Sequence, residues 1–136
     1  MILLALLALT AAHADWDYVR ANGDKGTVAV SSRKGQPYLS ARQFCYAFGC
    51  RVFYQWASHR VVIQNREEHL GAIVSSLTRV ALVDGKVLDF EGEVLSEIRE
   101  GYLLPIALAE RLARALKLGK LVFRKPDPLA IVAEKP

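Results

Sequence analysis

The stretch Tyr38-Leu-Ser-Ala-Arg-Gln-Phe-Cys-Tyr-Ala-Phe-Gly-Cys-Arg-Val-Phe-Tyr54 constrains the fold more than any other part of the chain. It holds a helix with both ends written into it and a strand that leaves at once. Ser40 is a good N-cap, Gln43 completes a capping box, and Leu39 and Phe44 stand where a hydrophobic staple needs them. Gly49 supplies the left-handed residue after the last turn, which makes Cys45 the third residue from the helix end and Cys50 the residue beyond the glycine. Ala41, Phe44, Cys45 and Phe48 form the apolar stripe, and Val52 and Tyr54 continue with the period of a strand.

The rest of the chain is placed around that unit. Trp16 and Tyr18 alternate in a short strand that ends in Asn22-Gly23-Asp24-Lys25-Gly26, and Thr27 to Ser31 is a β-branched strand. Arg51 to Gln55 pairs with Arg60 to Gln64 across Trp56-Ala57-Ser58-His59, with Val52, Tyr54, Val61 and Ile63 as the buried set. Gly71 to Ser76 is a strand, and Arg79 to Val83 joins Lys86 to Phe90 through Asp84-Gly85, a type I′ turn. Val94 to Ile98 is another strand. A helix follows from Tyr102 to Leu116, with Pro105 in its first turn and Leu108, Ala109, Leu112, Ala115 and Leu116 on its apolar face. Leu121 to Phe123 restarts a strand, and Leu129 to Val132 is a last one. Tyr38-Leu-Ser-Ala41 before a helix and a strand recurs as Leu103-Leu-Pro-Ile106 before a helix and a strand. The expectation is therefore an α+β fold: a small, mostly antiparallel β domain with two helices and two similar strand-helix-strand halves.

A chain of 136 residues with 52% hydrophobic content fits one domain with a real core. Ile2 to Ala12 is an uncharged run too short to span a bilayer, and Ala12-His13-Ala14 has the small residues that signal peptidase requires. Residues 1–14 are read as a signal peptide, residues 15–125 as the domain, and residues 126–136 as a linker or last strand. The protein is then exported, to periplasm, cell wall or extracellular space, with no transmembrane span after cleavage. The formal charge of +4 is spread over Arg33, Lys34, Arg51, Arg60, Arg66 and Arg79, as on a solvated mixed surface, and is compatible with an anionic envelope partner.

Cys45 and Cys50 leave two readings, a disulfide formed after export or two thiols in contact. The cap register brings their α-carbons within the roughly 4.4 to 6.8 Å that a disulfide tolerates. A zinc site lacks partners, since Cys-x4-Cys stands alone and the mature chain offers only His59 and His69 as imidazoles. His59 sits in a turn with no acidic neighbour in sequence. For an enzyme, paired carboxylates such as Glu67 with Glu68 or Glu91 with Glu93 are the only candidates, and such pairs in turns are solvated charge, so no catalytic residue, metal or cofactor is assigned. The aromatics Tyr54 and Trp56 beside a basic excess are also what a single-strand binder would carry, but export argues against nucleic acid.

The order Leu39-Ser-Ala-Arg42, Ala47-Phe-Gly-Cys50, Val52-Phe-Tyr54, Val61-Val-Ile63, Asp84-Gly-Lys86 and Tyr102-Leu-Leu-Pro-Ile106 resembles the copper amine oxidase-like N-terminal domain, or stalk domain, of exported bacterial proteins. Ser40 stands for the family's first Pro, Tyr54 for its Trp, and Cys45 and Cys50 for Ala. The resemblance implies a non-catalytic envelope module that accompanies a peptidoglycan-cleaving N-acetylmuramoyl-L-alanine amidase domain as an accessory or spacer, or else a free-standing envelope interaction domain. Its candidate partners are peptidoglycan or another anionic envelope component and a C-terminal hydrolase domain. The first turn of a helix attracts anions, and Arg42 adds a full charge at only one of the two helices. Ser40, Arg42, Tyr54 and Trp56 are therefore the candidate ligand surface, with pairing of Arg42 to a carboxylate as the alternative fate.

Overall fold

The computed structural model describes residues 13–33, 35–90 and 95–123. The apolar run read as a signal peptide, the pair Glu91 and Glu93, and the residues read as a closing linker or last strand lie outside the described residues. Among the described residues eleven strands run as β1 (His13–Arg20), β2 (Lys25–Arg33), β3 (Gln36–Ser40), β4 (Arg51–Gln55), β5 (Arg60–Asn65), β6 (Leu70–Ser75), β7 (Ala81–Val83), β8 (Lys86–Val87), β9 (Ser96–Ile98), β10 (Gly101–Pro105) and β11 (Gly119–Phe123). Helix α1 (Ala41–Phe48) follows β3, and α2 (Ile106–Ala115) follows β10. The strands form two antiparallel sheets, ordered β11-β1-β2-β3-β10-β9 and β4-β5-β6-β7-β8. The class is α+β, as the periodicities imply. Strand β1 begins at His13, two residues ahead of the first residue expected after cleavage.

Helix α1 carries the Ser40 N-cap and the Gly49 C-terminal cap read from its sequence. Ser40 Oγ accepts a hydrogen bond from the Gln43 N–H at 3.4 Å, and Gly49 is left-handed at φ 73°. The N–H groups of Gly49 and Cys50 both donate to the Cys45 carbonyl, which is the Schellman arrangement. Helix α2 begins at Ile106, four residues later than the sequence suggests. Pro105 is not in its first turn but closes β10 and caps the helix from outside, with ψ 141°. The residues Tyr102, Leu103 and Leu104, read as the helix start, are strand, because a proline pushes its predecessor to extended backbone and β3 and β9 flank them as partners. At its far end Leu118 N–H donates to Ala113 O at 2.8 Å, while Lys117 takes the left-handed position at φ 56°. Both helices thus end in Schellman caps, one of them without glycine.

The internal repeat has a spatial meaning. Strands β3 and β10 pair with Leu39 opposite Leu104, Tyr38 opposite Pro105 and Ser40 opposite Leu103, so the equivalent segments meet about a local two-fold at the two leucines. Leu39 and Leu104 are both 0% exposed. Helices α1 and α2 each pack against β3 and β10, and the halves then diverge. The strand after α1 starts the five-stranded sheet, whereas the strand after α2 returns to pair with β1.

In the five-stranded sheet, Arg51 to Gln55 pairs with Arg60 to Gln64 in the expected register. Val61, Ile63, Ala72, Val74 and Ala81 fill its inner face. Asp84 and Gly85 both have positive φ, as a type I′ turn requires. Strand β8 stops at Val87, short of the expected Phe90, because Leu88 and Phe90 pack against the core instead of extending an edge.

Candidate ligand-binding surface

Tyr54 points inward from the end of β4, Trp56 opens the 3-10 turn that follows, and Arg42 stands in the exposed first turn of α1. Only Gly49 and Cys50 separate α1 from β4, so these three residues are forced together. The Arg42 guanidinium lies over the Tyr54 ring, 5.7 Å from its centroid, which is cation–π geometry. The Tyr54 and Trp56 rings meet edge-on at 5.4 Å. Tyr102, brought in by β10, forms the floor: its ring stacks on Trp56 at 5.0 Å and 25° and lies 5.3 Å from Tyr54. Trp56 remains 43% exposed while Tyr102 is 1% exposed. Gly101 makes the packing possible, since a Cβ there would come within 2.8 Å of the Tyr54 hydroxyl oxygen.

Beside the rings lies a partly exposed polar group that sequence reading missed. Glu97 faces Tyr102 across the β9–β10 pair, and its Oε2 is 2.8 Å from His59 Nδ1. The Tyr102 hydroxyl is buried with no partner in hydrogen-bond geometry among the described residues. Burial, and then the negative charge of Glu97, raise its pKa above the ordinary tyrosine value. Ser76 Oγ donates to the His59 carbonyl at 3.1 Å and approaches Glu97 Oε2 at 3.3 Å. Ser, His and Glu are therefore close without forming a nucleophile–base pair, because the serine bonds the carboxylate and a carbonyl rather than the imidazole. The group instead ties the Trp56 turn and the β6–β7 loop to β9. The one signal for it was the Arg99-Glu100 turn, which sets Glu97 opposite Tyr102 once Tyr102 is read as strand.

The other candidate residues separate. Ser40 Oγ accepts the α1 cap hydrogen bond, and no contact of Ser40 with the rings is seen among the described residues. Arg42 takes the Tyr54 face, and among the described residues it has no carboxylate partner. Cys45 and Cys50 are thiols whose Sγ atoms lie 2.6 Å apart. The contact with Cys50, followed by burial, raises the Cys45 pKa above that of a free thiol. Glu67 and Glu68 are exposed in the β5–β6 turn. Among the described residues no group of three His, Cys, Asp or Glu side chains could hold a metal, and no helix is long and apolar enough to cross a membrane. A surface hollow lined by Asp89, Phe90, Ala107, Glu110 and Arg111 shares no residue with the ring cluster. Protein-family models, characterised proteins and solved structures contain no match to this chain.

Proposed function

We propose that this chain is a non-catalytic, exported cell-envelope module of the stalk-domain kind, an accessory or spacer for a cell-wall hydrolase, that associates with peptidoglycan through Arg42, Tyr54 and Trp56. The observation that carries the reading is the half-open Trp56 ring, held flat on buried Tyr102 and bordered by the Arg42 guanidinium. A rigid aromatic face with a positive neighbour suits a sugar ring laid against the indole and a peptide-stem carboxylate at the arginine. The rings are immobilised before binding, which lowers the ordering cost of association. Co-sedimentation with purified peptidoglycan tests this. The wild-type protein should pellet, Trp56→Ala should lose affinity by roughly tenfold or more, about 1.4 kcal/mol, and Arg42→Ala by less. A soluble wild-type protein, or equal pelleting of Trp56→Ala, would refute wall binding by this surface and leave the interaction-domain alternative.

Export also bears on the cysteines. In an oxidising compartment, exchange with the disulfide of an oxidoreductase would join Cys45 to Cys50. Both thiol protons are lost, and the two electrons reduce the partner disulfide to two thiols. Thiol titration of the exported, unfolded protein should then read no free sulfhydryl, and a reading of two would show that the pair stays reduced.

A further inference from the structure

The five-stranded sheet has a second face that nothing among the described residues covers. Successive residues of a strand point to opposite sides, so the register sets Phe53, Val62, Ile73, Leu82 and Val87 in one line across all five strands, opposite the buried face. Phe53 is 46%, Ile73 38% and Val87 69% exposed. An apolar line of this length on a sheet surface is a mark of association. The adjacent row is polar and asymmetric in charge. It runs from Arg51 through Gln64 to Gly71, whose N–H donates to Asp84 Oδ1 at 3.2 Å and whose carbonyl accepts from Asp84 N–H at 3.0 Å. One end of the row is therefore positive and the other negative.

We propose that this face docks a second copy of the chain, sheet on sheet, about a two-fold axis that runs parallel to the strands and passes by Ile73. That axis reverses the strand order, laying β4 over β8 and β5 over β7. Phe53 then meets Val87, Val62 meets Leu82, and Ile73 meets its own copy, so that large side chains face small ones along the line. Arg51 of each copy comes over the turn that holds Asp84 of the other, giving two opposite-charge contacts. An axis perpendicular to the strands would instead lay β4 on β4 and gather Arg51 and Arg60 of both copies at one edge, which repulsion disfavours.

The size of the patch sets the strength. With strands about 4.8 Å apart, three outward residues on each of β4, β5 and β6 and one on each of β7 and β8 cover roughly 350 Å² per copy. That is about half the 800 Å² per partner of a standard interface, so the dimer forms at high concentration and dissociates on dilution.

Sedimentation equilibrium of the whole chain from about 10 μM to 1 mM tests the proposal. The wild-type mass should rise toward that of a dimer with loading. Ile73→Asp sets two carboxylates against each other on the axis and should stay monomeric throughout. Asp84→Asn keeps the oxygen that Gly71 N–H needs but removes the charge, and should weaken association several-fold. Val87→Asp, at the more exposed edge, serves if Ile73→Asp does not fold. A wild-type monomer at every loading, or a dimer indifferent to Ile73→Asp and Val87→Asp, would overturn the proposal.

Discussion

Gly119→Ala is expected to destabilise the domain by about 3 kcal/mol or more, the sum of backbone strain and an unrelievable overlap. Gly119 has φ 146°, and an added Cβ would overlap the Val19 carbonyl oxygen while standing 2.9 Å from Arg20 Cα and 3.0 Å from Phe48 Cε1. The first two obstacles are backbone and cannot rotate away. They are also fixed in place, because Arg20 pairs with Gly119 across β1 and β11 and Ala21 N–H donates to Leu118 O at 2.8 Å. Relief would require opening the β1–β11 pair, which closes one edge of the six-stranded sheet beneath α2. Against a typical stability of roughly 5 to 15 kcal/mol this is a large loss, and the melting temperature should fall by about 10 °C or more. Gly23→Ala is the control, since Gly23 also has a positive φ but nothing lies within 4 Å of its Cβ position. It should cost about 1 kcal/mol. Equal losses at the two glycines in thermal or urea unfolding would show that β11 does not sit against β1 as described.

Leu104→Ala should cost about 2 to 5 kcal/mol, and Leu39→Ala the same within error. The two leucines face each other at the centre of the β3–β10 pair, both fully buried between the strands and the helices they feed. Truncating either one leaves a cavity that the partner leucine, already packed by both helices, cannot fill. The equality is the informative part: it follows from the local two-fold and from nothing in the composition of either segment. Urea unfolding measures it. A loss below about 1 kcal/mol at one leucine with a full loss at the other would remove the symmetric reading of the repeat.

What could be read from the sequence was local. The α1 caps depend on Ser40, Gln43 and Gly49, and the β4–β5 register on an alternation broken by four turn residues, so neighbours in the chain settled both. The closeness of Arg42, Tyr54 and Trp56 was legible for the same reason, because a strand that leaves a helix through Gly49 and Cys50 alone runs back along it toward the helix start. Tyr102 to Leu104 was misread because Pro105 was taken as a first-turn helix residue, although a proline favours extended backbone before it, and the partners β3 and β9 that complete the strand lie far away in the chain. Loss of that strand also hid the floor of the site and the Glu97–His59 contact, whose partners lie far apart in the chain. Ser40 was placed in the ligand surface on its position alone, and its Oγ accepts the cap hydrogen bond from Gln43 N–H.

The claim that Trp56 and Arg42 form the ligand surface is tested most directly by the two indole N–H resonances of the folded protein, since Trp16 and Trp56 are its only tryptophans. Trp16 lies in β1, opposite Val28 and Phe123 and outside the ring cluster. Titration with a soluble peptidoglycan fragment should shift the Trp56 Nε1–H signal progressively and leave that of Trp16 in place, and Arg42→Ala should reduce the shift at equal ligand. A shift at Trp16 alone, or an unmoved Trp56 signal while the protein still pellets with the wall, would contradict the account.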